Sequence, residues 1–133
     1  MSKEMVKEAV VKYLINELNV PEDMIEIDTP LSAYEDGVDG NIDITVTMEA
    51  DEDVLIPLMI IQCLDDEIEM SESLVEKEVV NLEVIDGITG VGRIMLTNGV
   101  EMMYADWKDT DPNEEPEIPT YEQMVQEYNE TGN

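Results

Sequence analysis

Residues 54–64 read VLIPLMIIQCL, an apolar run that only Pro57 and Gln62 interrupt. A run this long is too continuous for a strand with one wet face. It fits a central strand buried on both sides, which needs layers of structure above and below it. Pro57 has no backbone N–H to give a neighbouring strand, so the regular part is expected to begin after it. The run falls well short of the roughly 20 apolar residues of a membrane span.

The flanking sequence supplies the layers. NIDITVTME (41–49) alternates strictly, with Ile42, Ile44, Val46 and Met48 predicted on one face and Asp43, Thr45 and Thr47 on the other. The charged turn EADED links it to the apolar run as a hairpin. Before it, Ser2 caps a predicted helix reaching about Leu18, with Met5, Val6, Ala9, Val10, Tyr13, Leu14 and Leu18 at helical spacing. Pro21 stops that helix, MIEID (24–28) reads as a short strand, and YEDGVDGN (34–41) is an acidic turn-rich loop.

After the run, residues 71–86 read as a second amphipathic helix. Its cap is Ser71 or Ser73, Ser73 and Glu76 have capping-box spacing, and Gly87 and Gly90 end it. Residues 93–107 form a predicted hairpin around Asn98-Gly99. A helix between the central strand and the next strand implies a β-α-β crossover. The expected fold is therefore α/β, a sandwich around a central mixed sheet. Residues 1–107 make the domain, 108–119 an acidic proline-rich linker, and 120–133 a C-terminal helix and tail. In that helix Thr120 and Gln123 have capping-box spacing, and Tyr121, Met124, Val125 and Tyr128 can dock on the body or on another subunit.

Composition narrows the chemistry. There is no histidine and a single cysteine, Cys63. Histidine-based acid–base catalysis, a histidine triad and a cysteine-held zinc are excluded. The acids number 34 against six bases, a net charge of −28. Spread over a globule of about 18 Å radius, that charge repels one further negative charge by about 6 kcal/mol without salt. Physiological salt cuts this to about 2 kcal/mol. Direct DNA binding would have to overcome this at each phosphate. A basic protein partner, DNA mimicry or adaptation to a salty cytoplasm each accommodates the charge. The charged N-terminus, MSKEMVKEAV, has no signal-like apolar segment, so a cytoplasmic location is expected.

VVKYLINELNVPEDMIEID, then PLS (30–32), GNIDITV, the apolar strand into QCL, and IMLTNG occur here in order. Together they resemble the N-terminal nuclease domain of type I restriction enzyme R subunits and their short stand-alone relatives, in the PD-(D/E)-x-K superfamily. The resemblance spans about residues 3–107 and implies a restriction-endonuclease-like sandwich. It places Asp43 at the family's metal-binding Asp, Gln62 at its metal-binding Glu and Leu64 at its catalytic Lys. Asn81 and Ile85 fall where members often carry Gln and Tyr. Such nucleases need Mg²⁺ held by carboxylates to activate water, and a Lys to position it. Gln62 loses a charge, and Leu64 can neither donate a hydrogen bond nor carry charge. Asp43 alone would be a weak metal ligand, and no cofactor is expected.

The main expectation is a catalytically degenerate nuclease fold acting as a binding or accessory module for a protein partner. An open strand edge or the C-terminal helix offers a route to a homodimer. An acidic DNA mimic that binds a basic protein is the second reading. The third is a metal-dependent endonuclease with a migrated acid. Asp65, Asp66, Glu67 and Glu69 lie just past the strand, with Glu49 and Asp53 near, and Lys77 is the cation in easy sequence reach. DGNID (39–43) starts like a calcium loop, but Ile44 and Ala50 stand where Gly and Glu are required. Cys63, with no histidine to activate it, is expected to be structural. The methionines follow the apolar pattern and are expected mainly to fill the core. Trp107 is expected to close a core edge or to anchor a partner.

Overall fold

The computed structural model describes residues 2–51, 54–106 and 118–131. Asp53, Trp107 and most of the expected linker lie outside the described residues. The chain runs α1 (Lys3–Asn16), β1 (Ile25–Pro30), β2 (Asn41–Asp51), β3 (Val54–Cys63), α2 (Glu72–Thr89), β4 (Arg93–Thr97), β5 (Met102–Asp106) and α3 (Tyr121–Thr131). The five strands form one sheet in sequential order. β3 and β4 are parallel, joined by α2 as the crossover, and the other pairs are antiparallel. The fold is mixed α/β, as expected from the central apolar run.

Helix ends follow local chemistry. The Ser2 hydroxyl accepts from the Met5 N–H (3.4 Å), and α1 buries Val6, Val10 and Leu14. Ser71, not Ser73, caps α2 by accepting from the Leu74 N–H at 3.2 Å. That places Ser73 inside the first turn, so the Ser73–Glu76 box is not formed. α2 also runs past Gly87 to Thr89 and ends only at Gly90, which has φ 68°. A glycine within a helix is tolerated, whereas the left-handed turn that ends one selects it.

β3 is the central strand, and Leu58 to Ile61 are fully buried. It begins at Val54, earlier than expected. Val46 pairs with Met59 and Thr47 with Pro57, so Leu58 has no β2 partner and Pro57 sits beside a bulge. The hairpin predicted at Asn98-Gly99 is present, with a longer loop. The Asn98 side-chain oxygen accepts from the Val100 and Glu101 N–H groups at 2.9 and 2.7 Å.

Side chains alternate along β3 and β4 between two cores. Met59, Ile61 and Met95 pack with Val6, Val10 and Leu14 of α1 and Met124 of α3. Ile60, Ile94 and Leu96 pack with Leu82 and Ile85 of α2. On β2 the expected common face is broken. Ile44, Val46 and Met48 join the α1 core, while Ile42 joins the α2 core. The break falls at Asp43, opposite Asp28, whose backbone is left-handed (φ 55°). Met48, Met59, Met95 and Met124 are buried in the core, whereas Met5, expected on the apolar face of α1, and Met102 are half exposed.

α3 docks on the body of its own chain. Met124 is completely buried, worth about 1.5–3 kcal/mol. The Tyr121 hydroxyl donates to the Thr47 carbonyl (2.9 Å) and its N–H to the Leu18 carbonyl (2.8 Å). Thr120 and Gln123 cap each other reciprocally, as their spacing predicted. Arg93, buried in the sheet, reaches Glu127 of α3 at 2.5 Å and Asp106 of β5 at 3.6 Å. Its Nη1 donates to the Leu58 carbonyl (3.4 Å), on the residue that the bulge leaves without a β2 partner.

Candidate functional site

The sheet forks where the sequence placed its candidate residues. β2 and β3 pair as far as Ile44 and Ile61. Beyond that rung β2 stays with β1, through Ile42–Thr29 and Asn41–Pro30, while β3 stays with β4, through Gln62–Leu96 and Cys63–Thr97. The backbone groups facing the gap would be orphaned, a costly state for buried donors. Two side chains fill the gap instead.

Asp43 and Gln62 supply the missing rungs. The Asp43 N–H donates to Gln62 Oε1 (2.7 Å), and Gln62 Nε2 donates to the Asn41 carbonyl (3.1 Å). Asp43 Oδ2 accepts from the Cys63 N–H (2.9 Å). An amide suits this place because it offers one acceptor and one donor. A carboxylate at position 62 could accept from Asp43 but could give nothing to the Asn41 carbonyl.

The other Asp43 oxygen, Oδ1, lies 3.2 Å from the ammonium of Lys3, at the start of α1. Asp43 is buried while Lys3 is half exposed. One helical turn on, the buried Lys7 ammonium pairs with Asp28, with Glu4 at 3.7 Å. Burial pulls Lys7 down, but its hydrogen bond to Asp28 and the nearby charges of Asp28, Glu4 and Asp43 outweigh this and raise it above the ordinary lysine value. The hydrogen bond from Lys7 holds Asp28 below the usual carboxylate value, and Asn41 adds to the effect. Burial, with the Asp43 charge behind it, pushes the Cys63 thiol up to about 12. That thiol stays protonated and unreactive at neutral pH, as a structural cysteine should.

Of the five positions carried over from the resemblance, the fork brings together Asp43 and Gln62. Leu64, just past the end of β3, donates its N–H to the Thr97 carbonyl (2.8 Å) and packs against the α2 core. Ile85 is buried in that same core, and Asn81 is exposed on α2. Asp43 is instead paired from the α1 side of the sheet. Among the acids weighed as replacements, Asp65 is engaged in its own turn, accepting from the Glu67 N–H at 3.1 Å. Lys77 is exposed. Among the described residues, no group of three or more Asp, Glu or Cys side chains is arranged to hold a metal ion.

These residues do not fit a divalent cation. Both Asp43 oxygens are engaged, and Gln62 spends its oxygen on a backbone N–H. The sequence reading missed Lys3, Lys7 and Asp28 as parts of the site. The lysines left a trace: they stand four apart, and Lys7 adjoins the buried Val6, an unusual place for a solvated cation. Nothing in MIEID marked the left-handed Asp28.

A model of the type I restriction enzyme R protein N-terminal family matches residues 2–120 of the chain. The chain belongs to that family. No curated protein and no solved structure is detectably similar to it. Asp43 and Gln62, with the fork that they close, lie within the matched segment. No helix among its described residues is long and apolar enough to cross a membrane.

Proposed function

We propose that this member of the family is a restriction-endonuclease-like sandwich without nuclease chemistry, acting as a binding or accessory module. The observation that carries the reading is the use made of Gln62. Both ends of its amide close backbone rungs between β2 and β3. In the family reading that position holds a metal-binding Glu, so here a ligand has become part of the sheet. Leu64 supports the same conclusion, since it packs toward the α2 core where the family reading expects a Lys.

The partner is a protein rather than DNA. Six cations serve the whole chain, and three of them, Lys3, Lys7 and Arg93, are in ion pairs with Asp43, Asp28, Asp106 and Glu127. Counterion release from DNA needs free cations on a surface, and the net charge of −28 opposes it. Residues 1–107 form the module in this reading, with 108–119 linking it to the C-terminal helix.

The test is cleavage of single-stranded, duplex and branched DNA with Mg²⁺ and with Mn²⁺. No cleavage above a no-protein control is expected. Metal-dependent cleavage that disappears in Asp43→Ala would overturn the proposal.

A further inference from the structure

The disagreement between the site and a divalent cation has a counterpart in α1. Asp43 is buried, and a buried carboxylate is stable only when paired and hydrogen-bonded. In a metal-dependent site the cation supplies that pairing. Here the Lys3 ammonium lies 3.2 Å from Oδ1, while Oδ2 accepts from the Cys63 N–H. Lys3 and Lys7 fall on one helical face, four residues apart. Each meets an acid that lies between the same two β1–β2 pairs, Ile27–Ile44 and Thr29–Ile42: Asp43 for Lys3 and Asp28 for Lys7.

We propose that Lys3 stands in for the divalent cation at Asp43, so that the first turn of α1 is a built-in counterion closing the β2–β3 fork. The inference rests on reading Asp43 as the family's metal-binding position. Its chemistry is a substitution of charges. One ammonium on a flexible stem replaces a hydrated dication, balances the single carboxylate that remains, and leaves no oxygen of Asp43 open to solvent metal. While Lys3 holds Oδ1 and the Cys63 N–H holds Oδ2, a dication finds no open carboxylate oxygen there. The ammonium also ties the N-terminal helix to the strand ends, which a free ion cannot do.

Thermal unfolding tests this without reference to nuclease activity. The proteins are wild type, Lys3→Met, Asp43→Asn and the double variant, each with and without millimolar MnCl₂ at constant ionic strength. Constant ionic strength removes general screening of the acidic surface, and Asp43→Asn keeps an acceptor for the Cys63 N–H, so every variant should fold. Mn²⁺ should raise the Tm of wild type no more than that of Asp43→Asn. Lys3→Met should lose about 2–5 °C, and Mn²⁺ should return half or more of that loss. In the Asp43→Asn background neither the loss nor the return should appear.

Three results would overturn the stand-in role. The first is a Mn²⁺-dependent rise in wild type that Asp43→Asn abolishes, because the carboxylate would then be open despite Lys3. The second is an equal Lys3→Met loss in both backgrounds, which would mean that the two residues are not coupled. The third is a Lys3→Met deficit that Mn²⁺ leaves unchanged. The proposed absence of nuclease activity would survive any of these, because it is read by cleavage and not by Tm.

Discussion

Two of the buried charges among the described residues, Arg93 and Asp43, are set in centres built in opposite senses. At the Arg93 centre a cation is buried, and carboxylates from β5 and α3 come to it. At the Asp43 centre a carboxylate is buried, and a half-exposed lysine from α1 comes to it along with a backbone N–H. The Asp43 centre lies wholly within the segment that matches the family. The Arg93 centre is closed by α3, which lies beyond the match. In both, the deeply placed group is hard to leave alone, and its partners are replaceable. A chain of net charge −28 has carboxylates in excess, so the cation is the scarcer component at each centre.

If that asymmetry holds, stripping the partners from Arg93 gives the largest effect. The double variant Asp106→Asn/Glu127→Gln keeps size and hydrogen-bonding capacity but leaves a buried guanidinium without a counter-charge. Breaking a buried pair in this way costs about 3–5 kcal/mol, measurable by urea unfolding. Arg93→Met, which removes the buried charge itself, should cost less, since its carboxylates are closer to solvent. If Arg93→Met proves the worse of the two, Arg93 acts mainly through packing and the Leu58 carbonyl, and the comparison fails.

The Asp43 centre should respond less and in a different pattern. Asp43→Ala leaves the Cys63 N–H without its acceptor and should cost about 1–3 kcal/mol. Asp43→Asn keeps that acceptor and should cost clearly less, by the same unfolding measurement. Gln62→Glu should also destabilise, because it loses the donor to the Asn41 carbonyl and sets a second carboxylate against Asp43. A stabilising Gln62→Glu in the presence of Mg²⁺ would mean that the fork accepts a dication, and the charge pairing described above would need revision.

The comparison also separates what the sequence could show from what it could not. The central strand, its two layers of helices and the crossover were legible because VLIPLMIIQCL and the helical stripes are local patterns with one good burial solution. Asp43 and Gln62 were singled out by spacing within a resemblance, and the structure does bring them together. Their partners were not legible. Lys3 and Lys7 reach the sheet only through the docking angle of α1, and Arg93 finds Glu127 across 34 positions of chain. The break in alternation at Asp43 lies beside the left-handed backbone of Asp28 on the neighbouring strand. Period-two reading assumes a regular pleat and cannot see that. The cap of α2 was narrowed to two serines, and only the observed helix start separates them.

Salt should shift both centres in the same direction at long range while weakening them at short range. Raising NaCl screens the repulsion among the many surface acids, whose range is about 10 Å at 0.1 M. The protected pairs at Arg93 and Lys7 are screened far less than exposed ones. Tm is therefore expected to rise with NaCl in wild type. It should rise no less in Lys3→Met, because the half-exposed Lys3–Asp43 pair is the most screened of these contacts. A Tm that falls with salt would mean that attraction at the two centres, not surface repulsion, dominates the charge balance.

The smallest effect concerns Lys7, the second lysine of the α1 face, and it depends on pH. Its folded value is raised above 10.5, so its contribution is complete below that value and is lost as pH rises through the higher folded one. Asp28 is held below 3.8, so its contribution is present above that value and is lost as pH falls through the depressed folded one. The pair therefore works across the whole range between, and fails at both ends. Tyr13, Tyr34, Tyr104 and Tyr121 are raised chiefly by burial, so they too withdraw stability as pH climbs above 10. The alkaline limb of wild type is thus a sum. Lys7→Met keeps the tyrosines and removes the ammonium, so stability measured from pH 8 to 11 should fall less steeply in the variant. Identical slopes would show that the Lys7–Asp28 contact contributes nothing beyond burial of the lysine stem. The Asp43 fork would then rest on Lys3 alone.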